Sequence, residues 1–394
     1  SNATDGYLRQ TSTSLPGGNT TTYAYYASNE AVDNPCTTDS DPVSPAGRPR
    51  LTTEQDPDGA GTAAGRTIET VYDATGRAIA TRMNDDPWTC REYDDRGRAT
   101  QTNQPDINGR PGRILQTVYA ADGNPLRTRT IDSVLGTSEV LVDLLGRTVE
   151  SLDIWGNTNT VTYDTNGRVA SSTTQVGIES YDYDQYDRPT TYKLDGTTLA
   201  TTTYDQYSRV ETIDYPEAKD GAGNTLKLIE IKRDALQRAI GGRYQTSDGK
   251  IFDEDVQISQ GGRTYGATQQ YDGQTITSNY SFDGIGRLTA ATVGQTQFDY
   301  SYGAPSNVCS GLAGNNAAAH RNSNRTSYTV TNTATSAIAT NDTHCYDQFD
   351  RLITSTDAQI GTPTYDDHHN TVSLAGGGTP ITFEYDATDH NIAI

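Results

Sequence analysis

Apolar and polar positions alternate with a period of two along most of this chain. Thr67-Ile68-Glu69-Thr70-Val71-Tyr72 alternates, Asp73-Ala74-Thr75-Gly76 interrupts, and Arg77-Ala78-Ile79-Ala80-Thr81 alternates again. Such alternation puts one set of side chains on each face of a strand, so the segment predicts a strand, a tight turn and a returning strand. The interruption recurs. Read as Tyr-Asp-x-x-Gly-Arg-apolar, it occurs twelve times, starting at Tyr72, Tyr93, Tyr119, Val142, Tyr163, Tyr183, Tyr204, Arg233, Phe282, Tyr346, Tyr365 and Tyr385. Neighbouring starts from Tyr72 to Arg233 lie 20–29 residues apart, and the last three lie 19 and 20 apart. A fixed period of about twenty predicts a repeat architecture. The expected fold is all-β, a curved sheet of repeated antiparallel hairpins with no helix longer than a turn or two.

The turn chemistry accounts for the letters. An Asp at the first turn position accepts hydrogen bonds from backbone N–H groups ahead of it. The Gly supplies a positive φ, as a hairpin with a bulge requires. The structural motif residues are Tyr72, Asp73, Gly76 and Arg77; Tyr93, Asp94, Gly97 and Arg98; Tyr163, Asp164, Gly167 and Arg168; Asp283, Gly286 and Arg287; and Tyr346, Asp347 and Arg351. At the Gly position Asp187, Asp350, His369 and Asp389 also suit left-handed geometry. Ser208 and Gln237 suit it less, so those two turns are expected to differ. The Arg is expected to be held by a carboxylate or a Tyr ring on a neighbouring strand. The regular Tyr rings read as cross-strand packing groups rather than sugar-stacking platforms.

The period divides the chain. Residues 1–3 read as an expression-tag scar, and 4–65 as atypical N-terminal repeats with a long loop. The repeat array proper covers 66–302, with two degenerate repeats between Arg238 and Ser281. An irregular insertion is expected at 303–344, rich in Asn, Ala, Ser and Thr. The array resumes at 345–394 and is expected to run on in a longer protein.

Composition removes other possibilities. Only 33% of the residues are apolar, against about 45–50% in ordinary domains, and 25 Tyr outnumber five Phe, two Trp and one Met. A thick aliphatic core cannot be built from this, whereas a two-sided polar sheet can. The formal charge of −21 disfavours nucleic acid and anionic lipid as partners. No apolar run approaches the ~18 residues of a membrane-spanning helix, so no membrane insertion is expected.

Cys36, Cys90, Cys309 and Cys345 lack the C-x-x-C spacing of a zinc site. Their contexts match in pairs. Cys36 and Cys309 each follow a Tyr-rich segment, and Cys90 and Cys345 each lead into a turn motif. Disulfides Cys36–Cys90 and Cys309–Cys345 are therefore expected, and with them an oxidising, secreted or cell-surface location.

Tyr-Asp-x-x-Gly-Arg at this spacing resembles the YD or Rhs repeats of bacterial Rhs and wall-associated toxins, toxin-complex shell subunits and teneurins. The likeness covers residues 66–394 and is clearest in the copies that start at Tyr72, Tyr93, Tyr163 and Phe282. It implies a spiralling shell of β-hairpins that, in bacterial members, encloses a C-terminal toxin polypeptide cleaved off by aspartyl self-proteolysis. The C-terminal cleavage signature of Asp-Pro-x-Gly and Tyr-Asp-Pro is absent, Asp56-Pro57-Asp58-Gly59 matching only its first half and at the wrong end. No catalytic residue is carried over.

The remaining chemistry is thin. His368 and His369 lie in Tyr365-Asp366-Asp367-His368-His369-Asn370, which reads as a variant turn before it reads as a metal site. His344 and Cys345 are adjacent on a strand, so they face opposite ways and form no dyad. The glycine-rich run from Gly59 to Gly65 has no following helix and no Walker lysine. Asp56 with Asp58, and Asp253 with Asp255, offer at most a weak calcium site without a calcium-loop pattern. The expectation is a non-enzymatic shell wall without metal or cofactor. Its partners would be the C-terminal toxin polypeptide and the rest of the shell. The alternative is a carbohydrate-binding or adhesion module acting on cell-surface glycans.

Overall fold

A computed structural model of the chain describes residues 1–55, 65–107, 109–271, 273–305 and 307–394. The Asp56-Pro57-Asp58-Gly59 turn, and the glycine-rich run from Gly59 as far as Ala64, lie outside the described residues. The protein is all-β. Twenty-eight strands form one antiparallel sheet, and from Asn2–Thr4 to Leu352–Ser355 each strand pairs with its neighbours in sequence. The exception is a small hairpin, Val32–Asp33 with Pro42–Val43, between the paired strands Thr20–Tyr25 and Pro49–Thr53. After Ser355 the array continues as a three-stranded and a two-stranded piece. The only helical elements among the described residues are 3-10 turns of three or four residues.

A meander of this kind has two rims, because alternate connections emerge at opposite ends of the strands. All the Asp-x-x-Gly-Arg turns, here called corners, lie on one rim. The connections between them, such as residues 15–19, 84–88 and 133–135, lie on the other, the loop rim. Each main corner puts a register shift where the strand meets it, as between Thr162 and Tyr163 or Val71 and Tyr72. Bulges increase local twist and bend the sheet. Repeated on one rim, they make it wind.

The winding carries the chain past itself. The corners at 347–351, 366–370 and 386–390 touch loop-rim residues near 19, 84 and 110, some 250–330 positions earlier. The sheet is a spiral of more than one coil and is not closed into a barrel. It is also thin. The accessible surface is 22359 Å², against about 15,000 Å² for a compact monomer of this mass. Its apolar core is a small cluster of Val71, Ile79 and Ala80, covered by Val32, Cys36, Val43 and Trp88.

Several segments differ from the sequence reading. The turns at Ser208 and Gln237 keep the common geometry, with φ of 62° and 65°. Asp205 and Asp234 each still accept the N–H and Nε of the following Arg, and these bonds offset a strain of about 1–3 kcal/mol. The 303–344 segment is not irregular throughout, since Ser327–Asn332 and Ala337–Tyr346 are strands of the main sheet. Its Thr and Val alternate, and the Asn-rich composition hides that alternation. Likewise Gln10–Ser14, Thr20–Tyr25 and Pro49–Thr53 within 4–65 join the sheet, and Asn2–Thr4 pairs with Gln10–Ser14. The copy at Tyr119 is not a corner of the common kind. Ala120 and Asp122 both have positive φ there, and Asp122 pairs with Arg129, seven residues on, instead of with an Arg four residues on.

Gly167 tests the corner directly. It has φ +84°, and an added Cβ would stand 3.1 Å from Nη1 of Arg147. Gly167→Val is expected to cost at least about 1 kcal/mol. Urea unfolding of parent and variant checks it; coincident midpoints would show that this corner does not need its left-handed residue.

Candidate functional site: the corner ladder and the coil seam

The chemistry-bearing residues concentrate on the corner rim. In the corner at 164–168, Oδ1 of Asp164 accepts the N–H groups of Asn166 (2.9 Å) and Arg168 (3.0 Å), and Oδ2 accepts Nε of Arg168 (2.7 Å). The Arg168 guanidinium lies over the ring of Tyr183, 4.3 Å from its centroid, and the Tyr183 hydroxyl donates to the carbonyl of Val169 at 2.8 Å. Asp and Arg therefore belong to one corner and the Tyr to the next. Arg77 with Tyr93, Arg98 with Tyr119, Arg188 with Tyr204 and Arg351 with Tyr365 repeat the arrangement. Asp73, Asp94, Asp283 and Asp347 hold their own arginines in the same way. A neighbouring carboxylate does reach Arg168, whose Nη1 lies 2.6 Å from Asp187 of the next corner, but the carboxylate common to the corners is the Asp four residues earlier, onto which the turn brings the Arg back. The Tyr ring is the part supplied by a neighbour.

The ladder polarises its own groups. Burial pushes the Asp73 carboxyl up, but the Arg77 N–H, the Thr75 hydroxyl, the Arg77 guanidinium and the Gly76 N–H bring it down to about 2. Asp205 is also held at about 2, chiefly by the side chain and N–H of Arg209. Groups locked as salt bridges at neutral pH are poor general acids or bases. The ladder is a brace.

Sequence reasoning missed two further corners and two turns of the same kind on the loop rim. Asp5 holds Arg9, whose guanidinium lies over Tyr25, with Leu8 at φ 62° in place of Gly. In the turns at 153–157 and 220–224 an Asn replaces the Arg and its Nδ2 reaches the same carboxylate. Ser259 replaces Asp in the turn that ends at Arg263. The Asp-x-x-Gly-Asn pattern was legible; Leu8 and Ser259 give no comparable signal.

The second concentration is the seam between coils. Arg110 pairs with Asp366 at 2.6 Å, Asn84 donates to the carbonyl of Asp367 at 3.1 Å, and Arg66 donates to that of His368 at 3.2 Å. Asn322 accepts the N–H of Gly17 at 2.5 Å, and Asn19 donates to the carbonyl of Gln348. His368, almost fully buried, sits between Asp86 of the first coil (Nε2, 2.6 Å) and Asp389 of the next corner (Nδ1, 2.8 Å). His369 instead packs edge-on against Phe349. His368 thus makes a contact between coils and His369 one with the adjacent corner, and among the described residues no His/Cys/Asp/Glu cluster is arranged to hold a metal. Asp253 and Asp255 are both ion-paired to Lys232.

Both His368 nitrogens face carboxylates, which only accept when ionised, so both bonds form together only while the ring is protonated. Burial opposes that charge, but Asp389 and Asp86 outweigh it and raise the pKa above the ordinary histidine value. The contribution is therefore complete below about pH 6.5 and is lost as pH rises through the raised value. The parent is expected to lose urea resistance as pH rises above the ordinary histidine range, and His368→Gln to lose distinctly less. His369, pushed down to about 4 mainly by burial, stays neutral across this window and does not confuse the comparison. Parallel pH profiles for parent and variant would remove His368 from the seam's charge balance.

The structure joins Cys36 to Cys90 and Cys309 to Cys345, and no described cysteine is free. The first bond ties the Val32–Asp33 hairpin segment over the small core, and the second, fully buried, ties residues 307–309 beneath the strand Ala337–Tyr346. His344 stacks on Tyr328, and its lowered pKa follows mainly from burial. With Cys345 oxidised, no thiol is present to pair with it. No described helix is long and apolar enough to cross a membrane.

No family model matches the chain, and no curated protein matches it either. Its fold is similar to solved toxin-complex structures. A mutant Tc holotoxin pore of Photorhabdus luminescens superposes with a TM-score of 0.64 at 15% identity, over 99% of this chain and 21% of that one. A TcdB2–TccC3–Cdc42 structure gives 0.60 at 15% identity, over 100% of this chain and 19% of that one. The chain thus spans about a fifth of the length of either. At this identity the likeness is one of fold: a long, open sheet of antiparallel hairpins.

Proposed function

We propose that this chain is a non-catalytic wall segment of a secreted or surface toxin shell, sequestering a polypeptide and helping deliver it. The observation that carries the reading is the seam, where late corners dock on early loops through His368, Arg110 and Asn19. A sheet that coils onto itself bounds a space, whereas a flat adhesion surface has no use for a seam. The ladder supports the same reading, since its carboxylates and guanidiniums satisfy one another and leave a wall with little reactivity. Two disulfides suit an oxidising exterior. The Tc structures named above add the likeness of fold. The payload and the remaining wall would lie in further sequence of a longer protein.

Co-expression with the polypeptide encoded downstream in its own reading frame tests this. The enclosed polypeptide should resist a protease dose that digests it when alone. Digestion at equal rates, or a reading frame that stops at Ile394, would overturn the reading. A glycan-binding role draws on one observation, the exposure of Trp155, Tyr186 and Tyr207, the last two with Arg188 and Arg209 over one face of the ring. Glycan-array signal that falls on Trp155→Ala would favour it.

A further inference from the structure

The two disulfides differ in their surroundings. Cys309 and Cys345 are 0% and 1% exposed, whereas Cys36 and Cys90 are only half-buried. Cys36 lies near the middle of a strap, residues 27–44, which leaves the main sheet after Thr20–Tyr25 and returns to it at Pro49–Thr53. The roots of the strap are firm. Tyr26 and Pro45 are fully buried, the Tyr26 hydroxyl donates to the carbonyl of Thr70 at 2.8 Å, and the Tyr26 N–H donates to that of Arg48 at 3.0 Å. The middle is held differently. Between residues 31 and 44 the described hydrogen bonds stay inside the strap, as from the Asn34 N–H to the Asp41 carbonyl and from the Asp41 N–H to the Asp33 carboxylate. The Cys36 sulfur lies 3.6 Å from the carbonyl of Ile79, but while oxidised it carries no proton to donate. Toward the sheet the strap therefore has Val32, Val43 and one covalent bond, and these help cover Val71, Ile79 and Ala80. Glu30 is paired with Arg50 beside the first root. The further charges of the strap, Asp33, Asp39 and Asp41, are all acidic in a chain of net charge −21, so repulsion favours lifting.

We propose that Cys36–Cys90 is a redox latch, which a dithiol reductant opens while Cys309–Cys345 stays closed, so that the strap lifts from Val71, Ile79 and Ala80 and the sheet remains folded. One thiolate of the reductant attacks a sulfur of the bond, and the other cysteine leaves as a thiolate and takes up a proton. The second thiolate of the reductant then displaces the first cysteine, so two protein thiols form as the dithiol becomes a disulfide. Exchange requires that the attacking thiolate reach a sulfur, which burial denies at Cys309–Cys345 until its surroundings open. A chain exported in oxidised form keeps its apolar cluster covered outside the cell and uncovers it in a reducing interior. The inference rests on the strap and the two bonds and is independent of the shell reading.

Graded dithiothreitol, followed by alkylation and peptide mass measurement, reads which bond opens. Cys36 and Cys90 should be labelled at doses about tenfold or more below those that label Cys309 and Cys345. At the lower dose, hydrogen exchange should rise at residues 27–44 and stay unchanged in the strands Pro49–Thr53 and Thr67–Tyr72. In a Trp155→Phe background the remaining tryptophan is Trp88, which packs against the cluster beneath Arg82. Its emission should shift to the red on this first reduction and return on reoxidation. Cys36→Ser with Cys90→Ser should show the faster strap exchange without reductant. Labelling of all four cysteines together, or of Cys309 and Cys345 first, overturns the proposal. So does a strap that stays protected after selective reduction or in the double variant, since Val32 and Val43 then suffice to hold it. Exchange that spreads into the two strands overturns it as well, because the bond would then be holding the sheet.

Discussion

Replacing Cys309 and Cys345 with serine is expected to lower stability by about 4 kcal/mol. The bond closes a loop of 36 residues, and the loss of chain entropy that such a loop imposes on the unfolded state is of that order. The effect should exceed entropy alone in one respect. The loop carries Asn316 and Asn322, which reach Asn19 and Gly17 of the first coil, while the N–H of Asn316 donates to the carbonyl of Tyr346 at 2.7 Å. Releasing residues 307–309 therefore loosens one anchor of the seam as well as the local strand. Urea unfolding of the double variant, with Cys36–Cys90 intact, measures the total, and hydrogen exchange at residues 15–19 isolates the seam. An unchanged midpoint would mean that the loop is held by its asparagines and that the bond is incidental.

Asp347→Ala should rank close behind, at about 3 kcal/mol. Asp347 is buried, accepts the N–H groups of Phe349 (2.8 Å) and Arg351 (2.9 Å), and binds Arg351 through Nε at 2.7 Å. Removing it strands a largely buried guanidinium, and breaking a buried pair from one side is costly because the other charge stays behind. Asp94→Ala deletes the same letters in the same motif, yet Asp94 and its Arg98 are both more exposed than Asp347 and Arg351, so water can partly replace the lost partner. Its unfolding midpoint should move visibly less. Equal shifts for the two would mean that the seam adds nothing to a corner.

That contrast shows how far the sequence could be read. Period-two alternation and the Tyr-Asp-x-x-Gly-Arg recurrence identify hairpins because both are local. Strand faces, the acceptor role of the Asp and the positive φ of the Gly are all settled within about five residues. The Ser208 and Gln237 corners were misjudged because propensity was weighed without the Asp–Arg bonds that overcome it. The strands Ser327–Asn332 and Ala337–Tyr346 were missed because composition was weighed above alternation. The partner of each Arg was half legible. A side chain four residues on can return to its own Asp, and only the pairing of strands brings the next Tyr beneath it.

The sequence by itself therefore determined the all-β class, the corner as the repeating unit and the acidic, core-poor character of the wall. Each follows from interactions within one hairpin or from composition. Tertiary structure alone decided which corners face solvent and which face another coil. The bend at each bulge is small, and only its accumulation over some 300 residues brings Asp366 to Arg110 and His368 to Asp86. No local pattern distinguishes Phe349 from Tyr207, for they occupy the same position of the same motif. Winding gives one a neighbour from another coil and leaves the other with Arg209 of its own corner.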